Sequence, residues 1–335
     1  MATYLVTGGC GFIGSHLVDQ LVRQGHRVRV LDTLSSGRTH NLAPEAELMI
    51  GDVADPAIVA LAMKGITGCF HLAGTMAAAE DWLDSHRTNL SGTIAIFDAA
   101  RSRSVPVVYA SSAAVYGDGG DQRLSEMAPA RPLCAQGADK LGCELHARVA
   151  SSQHGVPTAG LRFFNVYGPR QDPASPQAGV ITLFASRMLA DAPLLLQGDG
   201  EQARDFIFVA DAVAHLTAAM DRLLERQRDR RPAAAAVFNV CTGQPTRIRD
   251  LAMMIARLGG RPPRLQTTPA RAGDIRRLYG DPSGAIRHLR VAATTALDDG
   301  LRQTLSRLQP LPDPTPGVEP VTPFGVHWSS RLLSQ

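Results

Sequence analysis

The sequence predicts an α/β chain in which a doubly wound parallel sheet is followed by a smaller mixed α/β lobe. Three observations predict it. Strand-like apolar runs alternate with helical stretches through the first half of the chain. A glycine-rich turn within Val6 to Leu17 (V-T-G-G-C-G-F-I-G-S-H-L) joins the first run to the first helix. After Asn165 the regular alternation gives way to short strands and separate helices. Alternation of this kind implies parallel strands joined by crossover helices on both faces of a sheet.

The first strand is expected over Tyr4 to Thr7, and the turn after it carries the chemistry. Gly8, Gly11 and Gly14 fit a G-x-x-G-x-x-G spacing, while Gly9, Gly11 and Gly14 also fit G-x-G-x-x-G. One glycine permits the tight turn, one lets the backbone approach a pyrophosphate, and one lets helix and strand pack closely. The helix N-terminus adds free N–H groups and a positive dipole end. The next strand, Arg27–Leu31, follows at the spacing of one βαβ unit and ends in Asp32, where a carboxylate accepts hydrogen bonds from ribose hydroxyls. Together these features predict a dinucleotide site of Rossmann type. A carboxylate beside the ribose 2′-oxygen repels a 2′-phosphate, which favours NAD. Arg38 lies a few residues on and could reach the same region, which keeps NADP open.

Further strands are expected at Leu48–Ile50, Gly68–Leu72, Val105–Ala110 and Thr158–Phe163. Ligands in such sheets bind at the carboxyl ends of the strands. Asp52, in G-D-V after the third strand, is therefore placed to meet an adenine, and Leu72, Ala73 and Gly74 to back the cofactor. Beyond Asn165 come short strands at Leu194–Leu196 and Val237–Val240, with helices over Asp211–Leu224, Ile248–Leu258 and Thr294–Leu308. We divide the chain into a dinucleotide domain over 1–165, with returning segments near 205–240; a substrate lobe over 166–204 and 241–307; and a Pro-rich tail over 308–335.

Composition narrows the class. The 335 residues are 44% hydrophobic and 19% charged, as in an ordinary globular protein, and can bury a large core. A net charge of +3 implies neither a nucleic-acid nor a membrane partner. The densest basic run, Glu225 to Arg231, closes a predicted helix, where positive charge is favourable. Cys10, Cys69, Cys134, Cys143 and Cys241 form no C-x-x-C pair and no metal-ligand spacing, so free thiols and no metal are expected. Met1 leads almost directly into the first strand, so no signal peptide is expected. No apolar run approaches membrane-spanning length, and a cytoplasmic location is expected.

Several separated segments then converge: Thr7 to Gly14, Asp32, Ser111 to Gly117 (S-S-A-A-V-Y-G), Lys140, Arg162 to Arg170 (R-F-F-N-V-Y-G-P-R), Gly198-Asp199-Gly200, Arg204-Asp205-Phe206 and Arg271 to Asp274 (R-A-G-D). In this order they resemble the extended short-chain dehydrogenase/reductase family, in particular its UDP-glucose 4-epimerases, over roughly residues 2 to 307. The resemblance implies NAD held by Gly8, Gly11, Phe12, Ile13, Gly14, Asp32, Ser36, Asp52, Val53, Leu72, Ala73, Gly74, Asn89 and Lys140. It also implies a UDP-sugar bound by Ser112, Asn165, Val180, Gln197, Arg204, Arg271 and Asp274. Arginine suits a diphosphate because its planar fork binds two oxygens at once. A homodimer is implied through a four-helix interface built from the long helices near Trp82–Ser102 and Cys134–Ser152.

The family's chemistry uses a serine or threonine, a tyrosine and a lysine. Ser112 and Lys140 match two of them, but the tyrosine position, four residues before the lysine, is Gln136 in C-A-Q-G-A-D-K. Glutamine does not ionise near neutral pH and cannot act as a tyrosinate base. The chain is then a divergent enzyme with another base, a weakened enzyme, or an altered sequence, with Tyr116, Cys134 and a water ordered by Gln136 as candidate substitutes. Gln177 and Gln197 stand where relatives often carry an aromatic residue. Dehydratases need acidic residues after the serine, and decarboxylases usually carry a glutamate nearby; Ala113 and Ala114 supply neither. The leading expectation is an NAD-dependent UDP-sugar 4-epimerase acting through a 4-keto intermediate. The alternatives are a nucleotide-sugar-binding protein with structural NAD and little turnover, and a nucleotide-sugar dehydratase or reductase.

Overall fold

The computed structural model describes residues 1–75, 82–175, 178–270 and 274–308. Along the first half, strands β1 (Thr3–Thr7), β2 (Arg27–Asp32), β3 (Glu47–Ile50), β4 (Gly68–His71), β5 (Val107–Ser112) and β6 (Thr158–Phe163) alternate with helices. These are α1 (Phe12–Arg23), α2 (Pro56–Ala62), α3 (Trp82–His86), α4 (Gly92–Arg101) and α5 (Ala135–His154), and a π-helical turn, Arg87–Ser91, joins α3 to α4. Next come β7 (Asn165–Tyr167), α6 (Val180–Leu189), β8 (Leu194–Gln197), β9 (Ala203–Phe208), α7 (Val209–Arg228) and β10 (Ala235–Val240). The chain continues through β11 (Pro245–Arg247), α8 (Ile248–Leu258), β12 (Leu265–Thr268), β13 (Arg277–Leu278), α9 (Ser283–Leu289) and α10 (Leu297–Leu305).

Seven strands form one parallel sheet in the order β10-β6-β5-β4-β1-β2-β3. Side chains alternate between its faces. Val6, Val30, Phe70, Val108 and Leu161 enter one apolar layer with Leu17, Leu21, Leu216 and Met220 of α1 and α7. Leu5, Leu31, Cys69, Val107 and Tyr109 enter the other with Val59, Ile96, Phe97 and Ala147 of α2, α4 and α5. Burial on both faces explains why these strands read as nearly continuous apolar runs. The order reverses between β1 and β4, and the crevice at their carboxyl ends is where such sheets bind ligands.

A smaller sheet, with β9 paired to β7, β11 and β13, carries its own core of Tyr167, Ile181, Phe184, Leu196, Phe206, Phe208, Leu251 and Ile255. Phe12 packs against that core, so the helix leaving the glycine turn is wedged at the junction of the two sheets. Two expected boundaries move for identifiable reasons. The fifth strand starts at Val107 instead of Val105, because Pro106 lacks an N–H and the Val105 N–H turns back to Ala100 O. The last helix starts at Leu297 instead of Thr294, because Thr294 and Thr295 donate their N–H groups to the Asp211 carboxylate. Among the described residues no helix is long and apolar enough to cross a membrane.

Candidate active site

The turn after β1 is shaped by contact with the end of β4. Gly8 has φ of 69°, and a Cβ there would stand 2.8 Å from the Ala73 nitrogen. A Cβ on Gly14 would collide with the Gly8 carbonyl oxygen. The Gly11 N–H donates to that same oxygen at 3.1 Å. Any larger residue at 8 or 14 would push the backbone out of the crevice that a pyrophosphate needs.

Asp32, at the end of β2, is buried and held from two sides. The Cys10 N–H donates to Oδ2 at 2.9 Å, and the Leu34 N–H to Oδ1 at 2.8 Å. The Arg38 guanidinium instead reaches Asp172, at 3.3 Å, so it does not offset the Asp32 charge where a 2′-phosphate would sit. Ser36 is exposed in the loop that follows. The Asp52 carboxylate accepts from the Ala54 N–H at 2.8 Å and from Arg87 at 2.7 Å, whereas Val53 is buried against Gly92.

Beneath the crevice runs a buried chain of hydrogen bonds. Thr7 Oγ1 accepts the N–H groups of Leu72 and Ala73, each at 3.2 Å, and lies 2.7 Å from His71 Nδ1. Thr93 Oγ1 donates to Asn89 O at 2.6 Å and lies 3.0 Å from His71 Nε2. With the Thr93 proton committed, His71 must donate from Nε2 and accept the Thr7 hydroxyl proton at Nδ1. The imidazole is therefore neutral. Burial, with the Lys140 charge adding to it, pulls the His71 pKa down to about 3. Asn89 sits on the π-helical turn, an irregularity that frequently marks function. Its amide exchanges hydrogen bonds with the Thr75 backbone at 2.9 Å and donates to Ser85 at 2.9 Å.

Lys140 on α5 reaches the same place. Its Nζ lies 3.4 Å from the position of a Cβ on Gly74, and that Cβ would stand 3.0 Å from Asn89 Oδ1. The lysine is buried and has no hydrogen-bond acceptor among the described residues. Burial lowers its pKa, against the pull of Cys143 and Asp139. The first turn of α5 is seated tightly on the turn after β5, since a Cβ on Gly137 would stand 2.6 Å from Ala114 O. That contact brings Gln136 beside the end of β5, where Ser112 Oγ accepts the Ala114 N–H at 3.1 Å. Ser112 and Gln136 are both half-buried, and the Gln136 amide has no hydrogen-bond partner among the described residues.

Two candidate substitute bases are not suited to the task. Tyr116 is buried under the Arg162 guanidinium, donates to Asn239 Oδ1 at 2.6 Å, and is pushed up to about 12 by burial, with Arg162 opposing. Burial also raises the Cys134 thiol, against the Gly137 and Gln136 N–H groups. Neither ionises readily near neutral pH.

On the smaller sheet, Arg204 Nη2 meets Asp274 Oδ1 at 2.8 Å, and Gln202 Nε2 bridges Asp274 Oδ2 at 2.9 Å to Gln197 O at 2.8 Å. Burial lowers the Arg204 pKa, with Asp274 opposing. Asn165 pairs with Phe206 in register, so Asn165 and Arg204 project from one face two strand positions apart. Val180 opens α6 after Gly179. Arg271 and Gln177 lie outside the described residues, as do 309–335 of the tail.

Sequence reasoning missed His71, Thr93 and Glu144, which fall in none of the quoted motifs, and with them the buried partners of residues that do: Thr7 with His71, and a cluster in which Arg162 Nη2 meets Glu144 Oε2 at 2.6 Å and Ser111 Oγ donates to Glu144 Oε1 at 2.6 Å.

The profile of the NAD dependent epimerase/dehydratase family matches residues 4–241. The UDP-glucose 4-epimerase of Mycolicibacterium smegmatis is 34% identical over 312 residues, covering 90% of this chain and 96% of that protein. The UDP-glucose 4-epimerase of Thermotoga maritima, solved with UDP-glucose, superposes with a TM-score of 0.85 at 29% identity, covering 91% of this chain and 98% of that one. The UDP-glucose 4-epimerase of Thermus thermophilus, solved with NAD, gives 0.81 at 31% identity over the same shares.

Proposed function

The chain belongs to the NAD dependent epimerase/dehydratase family, with NAD as its cofactor, and we propose that it is a UDP-sugar epimerase of the 4-epimerase type that works without a phenolic base. The observation that carries the reading is the buried Lys140 ammonium, which has no hydrogen-bond acceptor among the described residues and faces Gly74 together with Asn89, with Ser112 and Gln136 nearby. The cradle fits NAD. Gly8 would leave room for the pyrophosphate, Asp32 would meet the adenosine ribose, and Lys140 and Asn89 would meet the nicotinamide ribose. NAD supplies reversible oxidation of the sugar at C4.

The rest is the work of side chains. Ser112 donates to or accepts from the hydroxyl being oxidised and holds it in place. Gln136 orients that hydroxyl but takes no proton. Asn165, Arg204, Arg271 and Asp274 hold the nucleotide diphosphate, with Val180 and Gln197 beside it. Because these contacts do not grip the hexose, the sugar is free to turn and be reduced from its other face. Ala113 and Ala114 are buried and supply no acid for water loss or decarboxylation.

We place the active form as a homodimer in the cytoplasm. Support for the dimer comes from Leu83, Ile94, Leu145 and Val149, apolar residues exposed on α3, α4 and α5, where a second copy would complete four helices. Incubating the NAD-loaded protein with UDP-glucose, UDP-N-acetylglucosamine or UDP-glucuronate and following the products by NMR tests the function. Appearance of a C4 epimer with no net NADH supports it. Loss of water or carbon dioxide instead assigns a dehydratase or a decarboxylase.

A further inference from the structure

Asp139 is a buried charge beside the site that none of the roles above uses. It lies on α5 between Gln136 and Lys140, is 4% exposed, and has His86 of α3 as its partner, with Oδ1 3.1 Å from Nδ1. Its second oxygen, Oδ2, is buried and accepts no hydrogen bond from the described residues. Leaving a carboxylate oxygen buried without a donor is unfavourable, and water or a ligand proton is the usual remedy. Residues three apart are neighbours on a helix surface, and side chains lean toward the helix N-terminus. Asp139 therefore leans over the turn that carries Gln136. The His86 imidazole is 47% exposed and joins the pair to solvent.

We propose that Asp139, oriented by His86, is the proton acceptor for the sugar hydroxyl, reached through a water that the Gln136 amide holds. The inference rests on the epimerase reading. As the C4 carbonyl forms, the hydroxyl O–H bond breaks and its proton passes to the water, which gives one of its own protons to Asp139 Oδ2. Bound NAD would take up the C4 hydrogen with its electron pair. Reduction from the other face returns both, so nothing is consumed. His86 Nδ1–H donates to Oδ1 throughout and leaves Oδ2 free. The ionisable groups facing Asp139 are His86 from α3 and, on its own helix, Cys134 at the start, Lys140 and Cys143. Asp139 acts through the water, so it is a positioning and relay group; a plain helix-to-helix tie is the competing role.

The two roles separate when Asp139→Asn and Asp139→Glu are compared in the parent and in a Gln136→Tyr background. The readouts are kcat, KM and their pH profiles for C4 epimerisation, with UDP affinity by calorimetry. A relay predicts that Asp139→Asn lowers parental kcat about tenfold or more. KM and UDP affinity should hold within about threefold, the rise of kcat with pH should flatten, and Asp139→Glu should recover part of the loss. The penalty should shrink in the Gln136→Tyr background, where the phenol takes the proton directly. An equal penalty in both backgrounds, or an Asp139→Asn variant with parental kcat and pH profile, overturns the proposal. So does a parent that binds UDP but never turns over. A parent that does not bind UDP overturns the epimerase reading itself. If Asp139→Asn does not fold, His86→Gln at the half-exposed partner is read by the same criteria.

Discussion

Asp32 is where one side chain decides between cofactors. Its carboxylate is pinned by two backbone N–H groups, cannot swing away from the ribose, and has Arg38 drawn off to Asp172. We predict that the parent binds NAD more tightly than NADP. Asp32→Ala should weaken NAD binding by about tenfold to a hundredfold, the worth of a hydrogen bond to a charged group at roughly 1.5–3 kcal/mol, with a smaller effect on NADP. Calorimetric titration of cofactor-free protein checks this, and equal parental affinities would remove the role given to Asp32. At this scale the glycines and Asp32 were legible because their jobs are local: a turn, a close approach, an acid at a strand end. Asp139 stood in plain view in C-A-Q-G-A-D-K, yet its partner His86 lies on another helix, and no spacing rule connects the two.

At the scale of elements, the chain Thr7–His71–Thr93–Asn89 ties β1, β4 and the π-helical turn to α4, and so fixes the floor of the cofactor crevice. Its pH dependence has a definite sign. The native His71 pKa lies near 3, below the ordinary 6.5, so between these values the unfolded chain binds a proton that the native protein refuses. His71 therefore contributes stability that is present above about pH 6.5 and drains away as pH falls toward 3. His16 and His215, also lowered by burial, act in the same direction. Denaturant midpoints followed from pH 7 to 4 should fall in the parent and fall less steeply in His71→Asn. Identical slopes would mean that His71 is not buried neutral. The strands and main helices were legible from alternation and apolar period. Their boundaries were not, because Asp211 capturing the Thr294 and Thr295 N–H groups, like the insertion that makes a π turn, is decided by tertiary contact.

For the whole molecule, the two sheets are locked together by Phe12 in the second core, by His16 Nε2 to Pro169 O at 2.9 Å and by Arg170 to Asp19 at 2.7 Å. The apolar outer faces of α3, α4 and α5 have no such cover among the described residues. Replacing Leu83, 84% exposed, and Leu145 together by glutamate should turn a dimer into a monomer in sedimentation velocity while leaving the monomer folded. A parent that sediments as a monomer contradicts the interface. On the proposed epimerase reading, position 136 of this scaffold lacks the phenolic base. The initial rate of UDP-glucose to UDP-galactose conversion, compared between the parent and Gln136→Tyr at saturating NAD, reads that lack. A base restored beside Ser112 and Lys140 should raise kcat by about 10²- to 10⁴-fold, with UDP-sugar binding little changed. A parent that is already fast and is slowed by the tyrosine would contradict the account.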